Sequence, residues 1–279
     1  MIFGVLGNPR KKEIPGVLQE LRKNADKIEI YFSEELKDLV PGESGDQVLP
    51  LEEVVRRADV LFSLGGDGTF LKAARVSGGK PIVGINLGGL GFLNFFSPDQ
   101  IPEVVDRLKR GDFFIEKRDA LVALRSEKDE KFFALNDVSI TITGSSRMIE
   151  IVVEADGELM SHYRADGIIV STPTGSTAYN LAAGGPVVHP DVDAIIVTPI
   201  CAHILSVRPV LLPSHTVLNI TVRVKGEEKL MISADGQQQS MLVSGEKVSV
   251  RVDKGAVSMV RFEDTPGFFE ILREKLCWG

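Results

Sequence analysis

The stretch "LFSLGGDGTFLKAA" (61–74) runs from a fully apolar segment through three glycines into a segment with helical periodicity. Strand, glycine turn and helix in that order aim unpaired N–H groups and a positive dipole end at the turn, a geometry that receives phosphate. Gly65, Gly66 and Gly68 let a ligand approach the main chain, and Thr69 stands near the helix start. Neither common phosphate fingerprint is present: there is no G-x-x-x-x-G-K-[ST], and the third glycine of G-x-G-x-x-G is missing. At the centre of the turn sits Asp67, an anion where an anion is to bind. A plain Asp-Gly turn would not require glycines on both sides. Beside bound phosphates a carboxylate has two uses: it accepts the proton of a hydroxyl about to be phosphorylated, or it holds Mg²⁺. Both belong to phosphoryl transfer.

Outward from this stretch the two periodicities alternate. "IFGVLG" (2–7), "KIEIYF" (27–32), "DVLFSL" (59–64) and "PIVGINLG" (81–88) read as strands. Residues 16–26, 51–58, 69–77 and 101–111 read as helices, the last ending at Gly111. Alternation of this kind predicts a parallel, doubly wound sheet, so residues 1–112 are expected to form a Rossmann-like α/β domain. From about residue 113 short strand signals follow one another with turn residues between them, and helical patterns are nearly absent. That predicts an all-β domain over 113–262. The tail, 263–279, contains "PGFFEILREKLCWG" (266–279), a helix expected to pack back on the first domain.

With 279 residues, 43% of them hydrophobic and 25% charged, the chain has material for two ordinary domains with sizeable cores. A net charge of −7 argues against a general nucleic-acid or anionic-membrane binder, while leaving room for a local basic pocket. The apolar run 194–207 is about 14 residues long and holds Pro199 and His203, too short and too broken to span a bilayer. No basic n-region or cleavage site marks a signal peptide, and Cys201 and Cys277 make no disulfide framework, so a reduced, cytoplasmic protein is expected. The four histidines show no ligand spacing and no G-x-S-x-G occurs, against a structural zinc site and a nucleophile-elbow hydrolase.

A second unusual stretch is "RADGIIVSTPTGSTAYNLAAGGPVVHP" (164–190), where "STPTGSTAYN" crowds hydroxyl residues behind an apolar strand. Serines and threonines donate to phosphate and ribose oxygens, and Tyr179 offers a face for a base, so a ligand-binding loop at a strand end is expected. "ALNDVSI" sets Asn136 and Asp137 in an otherwise apolar strand signal, at a bulge or facing a ligand. Asp235-Gly236 in "ISADGQQQ" reads as a hairpin turn.

"GGDGTFL" (65–71), "GINLGGLGFL" (84–93), "LND" (135–137), the 164–190 stretch, "TPICAHILSVRPVLLP" (198–213) and "SADGQ" (233–237) together resemble the NAD kinase family, in order and spacing, over essentially the whole chain. The resemblance implies an α/β domain followed by a β-rich domain with NAD in the cleft between them. It implies transfer of a phosphoryl group to the 2′-hydroxyl of the adenosine ribose of NAD, from ATP, another nucleotide or polyphosphate. A divalent metal, Mg²⁺ or Mn²⁺, and a homodimer or homotetramer with shared sites are also implied; the metal's ligands stay unassigned. By the same resemblance Asp67 is the proton acceptor, and Gly68, Lys72 and Phe92 lie against the substrate. Asn136 holds a ribose, and Asp137 stands where glutamate is usual. Arg147 occupies a basic position, and Arg164 with Asp166 meets the nicotinamide end. Thr174, Thr177, Ala178, Tyr179, Asn180, Leu181 and Ala182 surround the adenine side, where Ala182 replaces a more usual polar residue, and Gln237 completes the set. Two readings stand beside this one: a lipid kinase sharing the GGDGT turn, and a dinucleotide sensor in which Asp67 is dispensable.

Overall fold

The structure, a computed structural model, describes residues 1–40, 47–89, 91–125, 127–143, 148–224 and 229–278. The chain divides into two compact units, Met1–Lys117 with Ala256–Gly279, and Arg118–Gly255.

In the first unit β1 (Ile2–Gly7), α1 (Ile14–Asn24), β2 (Glu29–Ser33), β3 (Gln47–Leu49), α2 (Leu51–Arg57), β4 (Val60–Gly65), α3 (Asp67–Val76), β5 (Pro81–Asn86) and α4 (Ile101–Arg110) follow one another. The strands order as β3-β2-β1-β4-β5, all parallel, and residues Ser258 and Met259 near the chain's end add a sixth parallel neighbour beside β5. That is the doubly wound order, with its reversal between β1 and β4. Alternate residues divide the sheet's two faces. Phe3, Val5, Phe62, Leu64, Val83 and Ile85 bury one face together with Ile14, Leu18 and Leu21 of α1 and Val104, Val105 and Leu108 of α4. On the other face Gly4 leaves room for α2: a β-carbon there would lie 2.9 Å from Val54. α4 stops as its sequence says it should, at Gly111 in the left-handed region with φ 72°.

The second unit is antiparallel throughout. β6 (Phe114–Arg125) enters it and pairs with β7 (Glu130–Ala134), followed by β8 (Asp137–Thr143), β9 (Ile149–Ala155), β10 (Glu158–Ala165) and β11 (Gly167–Ser171). One helical turn, α5 (Tyr179–Ala182), precedes β12 (Ala194–Ile200), β13 (Val210–Pro213), β14 (Leu218–Arg223), β15 (Lys229–Ala234), β16 (Gln238–Leu242) and β17 (Lys247–Arg261). β13-β12-β11-β8-β15-β16 form one sheet, and β10-β9-β14 with the first residues of β17 form a second. Inward residues of both, among them Ile140, Ile168, Val170, Ile195 and Ile232 from one and Ile151, Val153, Ile220, Val248 and Val250 from the other, make a single sandwich core. At one end the fully buried Arg125 meets both oxygens of Glu246, at 2.7 and 2.8 Å, and also Glu130 and Ser240. A buried guanidinium is tolerable only when so fully satisfied.

The sequence reading puts the domain boundaries after residues 112 and 262 and the tail helix on the first domain; the two units divide after Lys117 and Gly255. The second unit closes at Gly255, because β17 carries on past it to pair with β5. Residues 256–261 and the last helix, α6 (Phe268–Leu276), belong to the first unit.

Candidate active site

β4 ends at Gly65, and helix α3 begins at Asp67 with Gly66 as its N-terminal cap. Asp67 is thus not the tip of a free turn but the first residue of a helix, where the dipole favours a negative charge. Thr69 folds back over Gly65 so closely that a β-carbon on Gly65 would lie 2.2 Å from its hydroxyl oxygen. Gly68 is exposed at the same helix start.

The Asp67 carboxylate is fixed from the loop that follows β5. Its Oδ2 accepts the Phe92 N–H at 2.9 Å, and its Oδ1 accepts the Leu93 N–H and the Asn94 amide, each at 3.2 Å. Gly91 makes this approach possible, since a β-carbon there would lie 2.1 Å from Oδ1. Each carboxylate oxygen has about two acceptor sites, so Oδ1 is filled and Oδ2 keeps one open. Phe92 therefore meets Asp67 through its main chain. Lys72 turns away toward Glu35, with which it forms an ion pair.

These groups lie where the strand order reverses. The loops leaving β1 and β4 touch through the Asn8 N–H and the Leu64 carbonyl at 3.0 Å, and Lys11 donates to the Leu87 carbonyl at 2.9 Å. Ligands of doubly wound sheets bind in this crevice, outside the carboxyl ends of the strands.

The second unit holds a groove of about 410 Å³ lined by Asn136, Asp137, Ser139, Thr141, Ala178, Tyr179, Met231, Ser233, Asp235 and Gly236. That volume lies within the usual range for small-molecule sites. Asp235 builds its floor: the carboxylate accepts three successive main-chain N–H groups, of Leu135, Asn136 and Asp137, at 2.9, 2.8 and 3.1 Å. Opposite, Gly175 packs against the Asn136 main chain, where a β-carbon would lie 2.1 Å from the Asn136 carbonyl oxygen. The Thr172 hydroxyl donates to the Leu135 carbonyl at 2.6 Å, so both neighbours hold the "LND" corner between β7 and β8. Asp137 is buried at the groove wall, and loss of water, with the Asp235 charge second, pushes its carboxyl up to about 7. The buried Ser233 hydroxyl beside it has no hydrogen-bond partner among the described residues. Burial, then the charge of Asp137, also raises the Tyr179 phenol.

The hydroxyl-rich run after β11 is not an open loop. It folds as a 3₁₀ turn, Thr174–Thr177, leading into α5. Asn180 is wholly buried and spends its side chain inside, donating to the Ser176 and Pro186 carbonyls at 3.0 Å and accepting from Thr198 at 2.7 Å. Thr174 is buried with its hydroxyl 3.3 Å from the Arg118 guanidinium. Ala178 and the exposed Tyr179 reach the groove; Thr177 and Leu181 are half-buried, and Ala182 is exposed nearby in sequence. Arg164 is exposed at the end of β10, Asp166 is half-buried after it, and Gln237 is exposed beyond Asp235. Arg147 lies outside the described residues. The sequence reading missed Asp235, whose partners stand about a hundred positions upstream, and Asn94, which sits inside an apolar run.

Among the described residues no group of three or more carboxylate, imidazole or thiol side chains is placed to hold a metal ion.

Main-chain amides that receive phosphate, sharing a turn with a fixed carboxylate, are the equipment of a phosphotransferase, and that is the class the first unit defines. Comparison with known proteins narrows it. Residues 4–113 match the family described as the ATP-NAD kinase N-terminal domain, and residues 135–262 the ATP-NAD kinase C-terminal domain. NAD kinase of Gemmatimonas aurantiaca is 40% identical over 291 residues, spanning 100% of this chain and 96% of that protein. NAD kinase of Chlorobium phaeovibrioides is 36% identical over 282 residues, with 100% and 99% covered. Among solved structures, yeast NADH kinase complexed with NADH superposes with a TM-score of 0.90 at 25% identity, over 100% of this chain and 88% of that one. An NAD kinase from Archaeoglobus fulgidus in complex with ATP shares the fold, with a TM-score of 0.75 at 24% identity over 99% of both. The chain belongs to the NAD kinase family.

Proposed function

We propose that this enzyme moves the γ-phosphoryl group of ATP to the 2′-hydroxyl of the adenosine ribose of NAD, with Asp67 as proton acceptor. The 2′-oxygen attacks the γ-phosphorus as its proton passes to Asp67, the bond to the β–γ bridging oxygen breaks, and ADP leaves with NADP as product. The observation that carries this is the Asp67 carboxylate, held at the start of α3 with one acceptor site of Oδ2 open. Held so, the carboxylate orients the hydroxyl and stabilises its departing proton. The helix start at Gly66, with Lys11 at the neighbouring strand end, receives the donor's phosphates. Mg²⁺ or Mn²⁺ enters with the nucleotide, bound to its phosphates as part of the donor substrate.

The second unit binds NAD. Asn136, Asp137 and Ser233 face a ribose in the groove, and Ala178 with Tyr179 lines it for the base. Thr174 and Asn180 shape that wall from within. Arg164 and Asp166 serve the nicotinamide end across a subunit boundary in a homo-oligomer, and the exposed Ile204 and Leu205 in the loop after β12 suit such an interface. The enzyme works in the cytoplasm. A lipid acceptor is set aside: the relatives named above are NAD or NADH kinases, and the groove wall carries the Asn136 amide and the Asp137 and Asp235 carboxylates.

Asp67→Asn tests the reading. Steady-state NADP formation should fall about 10²–10⁴-fold in kcat, while NAD affinity by calorimetry shifts far less. Wild-type kcat in this variant would sink the assignment of Asp67, whereas an unmutated protein that binds NAD and ATP without forming NADP would favour a sensor.

A further inference from the structure

Asn94 is wholly buried, yet only one end of its amide is used. Its Nδ2 donates to Asp67 Oδ1 at 3.2 Å, while its own Oδ1 has no partner among the described residues. An orphaned buried carbonyl is a cost that an apolar residue of similar size would avoid. The backbone around it is cut to fit. A β-carbon on Gly84 would lie 2.3 Å from Asn94 Oδ1, and one on Gly91 would lie 2.1 Å from Asp67 Oδ1. Two glycines thus make room for one amide–carboxylate pair, and nothing in the core requires the pair to be there. The neighbouring side chains Leu93, Phe95 and Phe96 are apolar and buried, so an apolar residue at 94 would suit the packing alone.

What the amide does is visible at the carboxylate. With the Leu93 N–H it fills both acceptor sites of Oδ1, and only Oδ2, already bonded once to the Phe92 N–H, can receive a further hydrogen bond. Without the amide, the carboxylate gains a second open site on the far oxygen and loses one of the three bonds that stop it rotating.

We propose that Asn94 is a positioning residue for phosphoryl transfer: it fills Asp67 Oδ1 so that Oδ2 alone faces the acceptor hydroxyl. This rests on Asp67 being the proton acceptor. Asn94 touches no substrate and acts through Asp67, so its removal should change turnover and not substrate binding.

The test is a double-mutant cycle with Asn94→Leu, close in size but unable to donate, and Asp67→Asn. Asn94→Asp, which keeps the shape and removes the N–H, is the second variant, and thermal unfolding of each confirms a folded protein. Asn94→Leu should lower kcat about 10- to 100-fold, the scale of a misplaced reacting group, with KM for NAD and for ATP within about threefold. Asn94→Asp should lose at least as much. In the Asp67→Asn background Asn94→Leu should change kcat by less than about twofold, a non-additivity that a merely structural role would not produce. If Asp67→Asn loses activity but both Asn94 variants keep wild-type kcat, the inference is overturned while the reading of Asp67 stands. It is overturned equally if Asn94→Leu costs the same factor in both backgrounds. If Asp67→Asn keeps full kcat, the reading of Asp67 falls, and the role of Asn94 falls with it.

Discussion

Replacing Asp137 with asparagine should stabilise the ligand-free protein, and the gain should grow with pH. The carboxyl is buried at the groove wall beside the Asp235 charge, and its ordinary value of 3.8 is pushed up to about 7. The sign follows from proton uptake. Below about pH 4 the group is protonated in folded and unfolded chains alike, and it contributes nothing. Between about 4 and 7 the folded protein keeps a proton that the unfolded chain has released, so wild-type stability falls by about 1.4 kcal/mol per pH unit. Above 7 both states are ionised and the deficit stays at roughly 4 kcal/mol, an upper figure because the groove is open and water can enter it. Asparagine has the shape of the neutral acid and carries none of this cost. Urea unfolding followed by far-ultraviolet circular dichroism at pH 5 and pH 8, variant against wild type, isolates the effect, since other titrations cancel in the difference. The gap should widen by about 2–3 kcal/mol between the two pH values. A gap that is flat with pH, or one that shrinks, refutes the reasoning, because it would mean that Asp137 is solvated or already paired.

Two other substitutions address the supports of the site. Gly91→Ala puts a methyl group 2.1 Å from Asp67 Oδ1, so the carboxylate must shift. Initial-rate assays should show kcat down at least about tenfold with KM for NAD little changed, the signature of lost geometry at the reacting group. Asp235→Ala leaves the main-chain N–H groups of Leu135, Asn136 and Asp137 without their acceptor. Thermal or urea denaturation should register a loss of about 2–4 kcal/mol, and titration calorimetry a clear weakening for NAD. A variant with unchanged NAD affinity would show that the corner it holds is not part of the binding surface.

Much of the first unit can be read directly from the chain because its signals are local. Val60 to Leu64 is apolar but for Ser63, and α4 shows its buried stripe and its terminal Gly111 within a dozen positions. β3 escapes such a reading: Gln47–Leu49 is three residues long and mostly exposed, with no period to detect. Asp67 stands out in the sequence as the proposed proton acceptor but not as the first residue of a helix, since Asp-Gly favours turns just as strongly. The run at 171–180 looks like a loop because serine, threonine and glycine usually make one. It folds into helical turns because Ser176 and Asn180 bond inward to the carbonyls of Val188 and Pro186, partners no composition reveals. The same holds for Asp235, which meets its three amides only once β15 has paired with β8.

The passage of β17 from one unit into the other also sets an order of events during synthesis. The outer strand beside β5 is made from residues 256–261, which leave the ribosome only after the whole second unit. Until then the Pro81–Ile82 end of β5 lacks its outer neighbour, while Gly84 and Asn86 are already bonded to Phe96, and that open end is a template for mispairing with other chains. The sandwich, contiguous from Arg118 to Gly255, can fold to completion first, and the Rossmann-like unit is sealed last, by the final two dozen residues. A chain truncated after Gly255 would thus keep every residue of the sandwich and leave the phosphate-binding sheet permanently open at one side.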